Sequence, residues 1–94
     1  MEATGWKGAT YGVRVGRTNV DSYFQKTWAF IEVELDGEVH RVKLPDSFWR
    51  KCPELKSAAI GRWLRRHELA PWPKGDPPKL KLSPLEGNRF RLSA

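Results

Sequence analysis

The run WAFIEVELDGEVHRVKLP at residues 28–45 constrains the fold of this chain more than any other segment. Apolar and polar residues alternate on both sides of Asp36-Gly37, a dipeptide favoured in two-residue type I′ turns. A two-residue turn fixes the strand register, so Leu35 should pair directly with Glu38. We therefore predict an antiparallel hairpin with one face buried and one face in water.

A second hairpin is predicted from PKLKLSPLEGNRFRLS at residues 78–93, where Gly87-Asn88 suits the positive φ of a turn. Apolar residues again alternate with polar ones, and they should face the core together; they are Leu80, Leu82, Phe90 and Leu92. Four cations must then share the opposite face: Lys79, Lys81, Arg89 and Arg91.

KSAAIGRWLRRHEL at residues 56–69 has the spacing of an amphipathic helix of about four turns, with Ser57 as a possible N-cap. A shorter helix is expected just after Asp46 or Ser47, and RTNVDS at residues 17–22 is interpreted as a turn. The predicted fold class is α+β: antiparallel hairpins packed on one main helix, in the order β-β-β-α-α-β-β.

An alternative interpretation is a fold similar in outline to a winged helix-turn-helix. The similarity lies in element order alone, because no diagnostic motif is present. In that case residues 57–68 would form the recognition helix, and residues 84–88 the tip of the wing.

The 94 residues fit a single domain, with residues 1–9 expected as a flexible N-terminal arm. No apolar run approaches the ~20 residues of a membrane span, and the first ten residues lack the apolar region of a signal peptide. The only cysteine, Cys52, has no partner for an internal disulfide. We therefore expect a cytoplasmic protein without a membrane segment.

No cluster of catalytic or metal-ligating residue types is evident. The two histidines, His40 and His67, are far apart in sequence and are interpreted as structural. Pro45-Asp46 followed by Glu54-Leu55-Lys56 superficially matches a nuclease pattern, but the spacing is too short and the second part is expected to open a helix. Four acids of the first hairpin are interpreted as solvated charge, with Glu32 paired across the strands with Arg41; these acids are Glu32, Glu34, Asp36 and Glu38. We expect no enzyme activity, cofactor, metal or small-molecule substrate.

Positive charge is concentrated in the second half of the chain. Residues 1–49 contain six Lys and Arg against seven Asp and Glu, whereas residues 50–94 contain eleven against four. The chain as a whole has a net charge of +6 and a sequence pI of about 9.8. Such asymmetry favours an acidic partner, most often nucleic acid.

We therefore predict a small nucleic-acid-binding module that contacts mainly the phosphate backbone of DNA or RNA. The candidate contact residues are the four hairpin cations Lys79, Lys81, Arg89 and Arg91 and the helical cations Arg62, Arg65 and Arg66. Aromatic side chains among the cations could stack on unpaired bases. The alternative hypothesis is a protein-interaction or assembly module, such as a homodimer, motivated by exposed aromatic residues and an unpaired sheet edge.

Overall fold

The computed structural model describes all 94 residues as seven strands and three short helices. The strands are β1 Glu2–Lys7, β2 Tyr11–Arg14, β3 Phe30–Leu35, β4 Glu38–Lys43, β5 Glu54–Lys56, β6 Lys79–Pro84 and β7 Arg89–Ser93. The helices are α1 Arg17–Tyr23, α2 Asp46–Arg50 and α3 Ala58–Arg66. None of the helices is long and apolar enough to span a bilayer.

All seven strands belong to one sheet with the order β4-β3-β7-β6-β1-β2-β5. The two edge strands, β4 and β5, approach each other, so the sheet curls into a nearly closed barrel. Every strand pairing is antiparallel except that of β3 with β7. This parallel pairing joins the first predicted hairpin to the last one.

The register of the first hairpin is the predicted one. Leu35 pairs with Glu38, and the pairing continues to the far end of both strands. Both turn residues, Asp36 and Gly37, have positive φ values of 52° and 86°, as a type I′ turn requires. The second predicted hairpin is also present, with Leu82 opposite Leu92.

The core fills the interior of the barrel as a single cluster of 20 buried apolar residues. Alternate residues of the strands point into it, and each helix adds to it. Ile60, Trp63 and Leu64 come from α3, whose N-terminus is capped by the Ser57 side chain accepting from the Ala59 N–H. Phe24, just after α1, stacks on Phe90 with 4.8 Å between the ring centroids.

The predicted fold class is wrong, because sheet dominates the structure and no main helix carries it. Strands that were expected as separate hairpins pair side by side, so they bury their apolar faces against one another inside the barrel. The winged helix-turn-helix alternative is wrong for the same reason. The segment 57–68 contains α3, which packs on β2. Residues 84–88 connect β6 to β7 within the same sheet.

Four local expectations also differ from the structure. Glu2–Lys7, expected within a flexible arm, forms β1 between β6 and β2. Arg17–Tyr23, interpreted as a turn, is the helix α1, and Glu54–Lys56, expected to open a helix, is the strand β5. The N-cap of α2 is Pro45, without a side-chain capping bond from Asp46 or Ser47. Short segments of this kind take their structure from neighbouring strands more than from local propensity.

Replacing Phe90 by alanine should lower the free energy of unfolding by about 3–5 kcal/mol, because the side chain is buried against Phe24 and Trp28. Urea denaturation followed by tryptophan fluorescence measures the change. The control is Tyr23→Ala, which removes an exposed ring and should change the free energy of unfolding by less than about 0.5 kcal/mol. Equal effects of the two substitutions would contradict the described core.

Candidate functional site

The four hairpin cations lie on the outer face of the barrel, as the alternation predicts. The register sets Lys81 opposite Ser93, and Arg91 opposite Ser83. No two of these cations are therefore direct cross-strand neighbours, so they repel one another less than cations placed directly opposite each other would.

The two arginines of β7 are neutralised by acids of β3. The parallel pairing sets Glu32 beside Arg89 and Glu34 beside Arg91, and an ion pair joins each couple. The distance from Arg89 Nη2 to Glu32 Oε1 is 3.0 Å. Sequence reasoning missed these pairs because it could not know that β3 and β7 are neighbours.

Lys79 and Lys81 of β6 are exposed and have no carboxylate within ion-pair distance. Their neighbours on β1 are Thr4 and Glu2. The candidate set from the last hairpin is thus divided: two lysines remain free, and two arginines are paired.

The three helical arginines are also divided between two places. Arg66 Nη1 lies 3.4 Å from Asp36 Oδ2 at the tip of the β3–β4 hairpin. Arg62 and Arg65 instead line a cleft of about 430 Å³ between α3 and the β1–β2 turn. Lys7 lines the same cleft, and no Asp or Glu does.

Four cations lie over three aromatic rings on the surface. Arg41 Cζ lies 3.9 Å from the centroid of Phe30, and Lys56 Nζ lies 5.1 Å from that of Trp6. Tyr11 receives two cations: Lys7 Nζ at 5.8 Å and Arg65 Cζ at 5.1 Å from its centroid. None of these four cations has an ion pair: Arg41 lies directly across from Glu32, as predicted, but the two side chains do not form an ion pair.

These pairs follow one another along the surface across the gap between β4 and β5. Phe30, Arg41 and Lys43 line one depression, and Lys43 and Lys56 line the next. Lys56 then covers Trp6, whose ring packs against Gly8 at the rim of the cleft. We call this surface the basic-aromatic band; it consists of Trp6, Lys7, Tyr11, Phe30, Arg41, Lys43, Lys56, Arg62 and Arg65.

Sequence reasoning found only Arg62 and Arg65 of the six cations in the band. The other four are single charges in sequence, spread over β1, β4 and β5, and only the closing of the barrel brings them together. One signal was present: Phe30, Arg41 and Lys43 alternate with buried residues of β3 and β4, which places the ring and both charges on one outer face.

The segment Glu54-Leu55-Lys56 lies on a strand, contrary to expectation, but it does not assemble a nuclease centre. Glu54 is buried and pairs with Arg14, with 3.5 Å between Oε2 and Nε. Asp46 does not line the depression that Glu54 and Lys56 share. No three His, Cys, Asp or Glu side chains lie close enough together to hold a metal ion.

No family model matches the chain, and neither a curated protein nor a solved structure shows significant similarity to it.

Asp36 links the hairpin tip to α3 through several contacts. Its carboxylate accepts from the Trp63 indole N–H at 3.2 Å and lies 2.9 Å from His67 Nε2. The hydrogen bond with His67 is the main cause that holds the pKa of Asp36 below its ordinary value of 3.8; Trp63 and the charge of Arg66 act in the same direction, against partial desolvation. His67 is therefore structural here, as predicted.

Asp36→Asn should destabilise the fold near neutral pH, and the deficit should vanish in acid. A carboxyl with a lowered folded pKa stabilises the protein above its unfolded pKa of 3.8, and this contribution is lost as the pH falls through the folded value. Asparagine still suits positive φ, so the turn itself is preserved. Urea denaturation of both proteins between about pH 7 and about pH 2.5 measures the difference between their free energies of unfolding. A difference that does not change with pH would contradict the prediction.

Proposed function

We propose that the protein is a small nucleic-acid-binding module without enzyme activity, and that the basic-aromatic band is its contact surface. The observation that carries this proposal is the run of six cations without a carboxylate partner, four of which rest on aromatic rings. A contact surface with excess positive charge is what a phosphate backbone requires. The single free thiol, Cys52, fits a cytoplasmic location.

The aromatic rings favour this role because they restrict the cations that rest on them. A cation–π contact at an exposed site contributes about 0.5–1 kcal/mol, so it biases a long side chain towards one position without neutralising its charge. An ion pair would orient the side chain too, but it would cancel the charge. The contrast with Arg89 and Arg91, which are held by glutamates, is the reason for preferring the band to the last hairpin.

Binding would release counterions from the phosphates, so the affinity should fall steeply with salt. Six contacts predict a slope of log K against log salt of about −4 on single strands and about −5 on duplex DNA at most. Sequence preference should be weak, because backbone contacts do not read bases.

A protein-interaction module remains the competing function. Its support in the structure is the edge strand β4, on which Val39 is 43% exposed. That strand also carries Arg41 and Lys43 outward, and charges on an edge oppose pairing with another sheet. The charge of the band therefore favours an anionic partner over a second sheet.

Fluorescence titration with mixed-sequence duplex DNA, single-stranded DNA and RNA tests the proposal directly. The measurement is made at about 50 mM and about 200 mM salt. The proposal predicts binding at the lower concentration and a loss of affinity at the higher. Absence of binding to all three polymers at low salt would overturn it and leave the protein-interaction function.

Matched variants test the location of the contact surface. Lys43→Gln with Lys56→Gln removes two charges from the middle of the band, and it should reduce the salt slope by about 1.4–1.8. The control, Lys26→Gln with Lys74→Gln, removes two exposed charges outside the band and should leave the slope nearly unchanged. If Lys79→Gln with Lys81→Gln had the larger effect, the last hairpin would be the contact surface instead.

A further inference from the structure

The cleft at one end of the band is larger than the other depressions along it. It is enclosed by the β1–β2 turn on one side and the first two turns of α3 on the other, with a volume of about 430 Å³. This is within the ~300–1,000 Å³ typical of small-ligand sites. The two other depressions of the band are smaller, at about 330 and 190 Å³.

Three cations meet in this cleft without an acid to balance them. Lys7 and Arg65 approach the same ring, that of Tyr11, at 5.8 and 5.1 Å, and Arg62 lines the same wall as Arg65 one helical turn earlier. Like charges that line one cleft repel each other, and the repulsion is relieved when an anion enters. The excess of three positive charges favours a dianion over a monoanion.

Neutral hydrogen-bond donors lie among these cations. Ser57 uses its hydroxyl oxygen to accept from the Ala59 N–H, so its own O–H is free to donate into the cleft. Thr10 and Tyr11 also line the cleft and carry hydroxyl groups. A tetrahedral oxyanion accepts several such bonds at once, and bonds to a charged acceptor are the stronger kind.

Tyr11 is held in position by packing against a residue that does not line the cleft. Its ring centroid lies 5.0 Å from that of Trp72, which packs against the core. Gly61 faces the Tyr11 backbone, and a Cβ there would lie 3.8 Å from the Tyr11 carbonyl oxygen, so α3 passes close to β2. Arg62 and Arg65 therefore project from a helix that is packed directly against the opposite wall.

We infer that this cleft binds a phosphate monoester, which carries about −1.5 to −2 charges near neutral pH. An internal phosphodiester carries only one charge and continues in both directions, whereas a terminal phosphate can enter a cleft. The inference deepens the proposed function and rests on it in one respect: the monoester would be the terminal phosphate of a bound strand. The same chemistry is offered by a small phosphorylated molecule.

Isothermal titration calorimetry separates these two sources. The probes are oligonucleotides of about ten residues with a 5′-phosphate, a 3′-phosphate or no terminal phosphate, and adenosine monophosphate compared with adenosine. We expect a terminal phosphate to increase oligonucleotide affinity roughly tenfold, and adenosine monophosphate to bind where adenosine does not.

Arg62→Gln with Arg65→Gln should abolish the preference for the terminal phosphate, while Lys26→Gln with Lys74→Gln, which removes the same charge elsewhere, should retain it. Thermal melts establish that both variants are folded. Retention of the preference in the double arginine variant would overturn the inference.

The outcomes also distinguish this inference from the proposed function. Binding of adenosine monophosphate without binding of any oligonucleotide would support the cleft as a site for small phosphate monoesters and would contradict nucleic-acid binding. Equal oligonucleotide affinity with and without a terminal phosphate, and no binding of adenosine monophosphate, would overturn the cleft inference and leave the proposed function standing.

Discussion

The parallel pairing of β3 with β7 determines both the closure of the barrel and the distribution of its surface charge. It joins the β3–β4 hairpin to the five other strands, and without it the sheet would end in two separate parts. The same register places Glu32 beside Arg89 and Glu34 beside Arg91. A single pairing therefore completes the core and supplies carboxylate partners for two of the four cations of the last hairpin.

Local structure could be predicted where residues close together in the sequence determine it. The Asp36-Gly37 turn and strict alternation on both sides fixed the first hairpin to the correct register, and alternation alone sorted the last hairpin into inner and outer faces. Three expectations failed because their outcome depends on distant strands. β1 and β5 are held by pairing with β6 and β2, and the charge balance of β7 depends on β3.

The candidate site could likewise be predicted only in part from local sequence. Arg62 and Arg65 could be recognised from helical spacing, but the cleft they line needs Lys7 and Tyr11 from the opposite end of the chain. Amino-acid composition gives the number of charged residues but does not show which of them form ion pairs. In this fold four of the basic side chains are held by carboxylates, whereas those of the band rest on rings or stand in the open.

The proposed function requires that the basic-aromatic band, with its six cations free of carboxylate partners, is the surface that contacts the ligand. Residue-resolved NMR during titration with a mixed-sequence oligonucleotide measures it most directly, because each arginine and each backbone amide gives its own signal. We expect Arg89 and Arg91 to change little and the largest shifts to follow the band, at Lys7, Tyr11, Lys43, Lys56, Arg62 and Arg65. Shifts concentrated on β6 and β7, with the band unaffected, would contradict it.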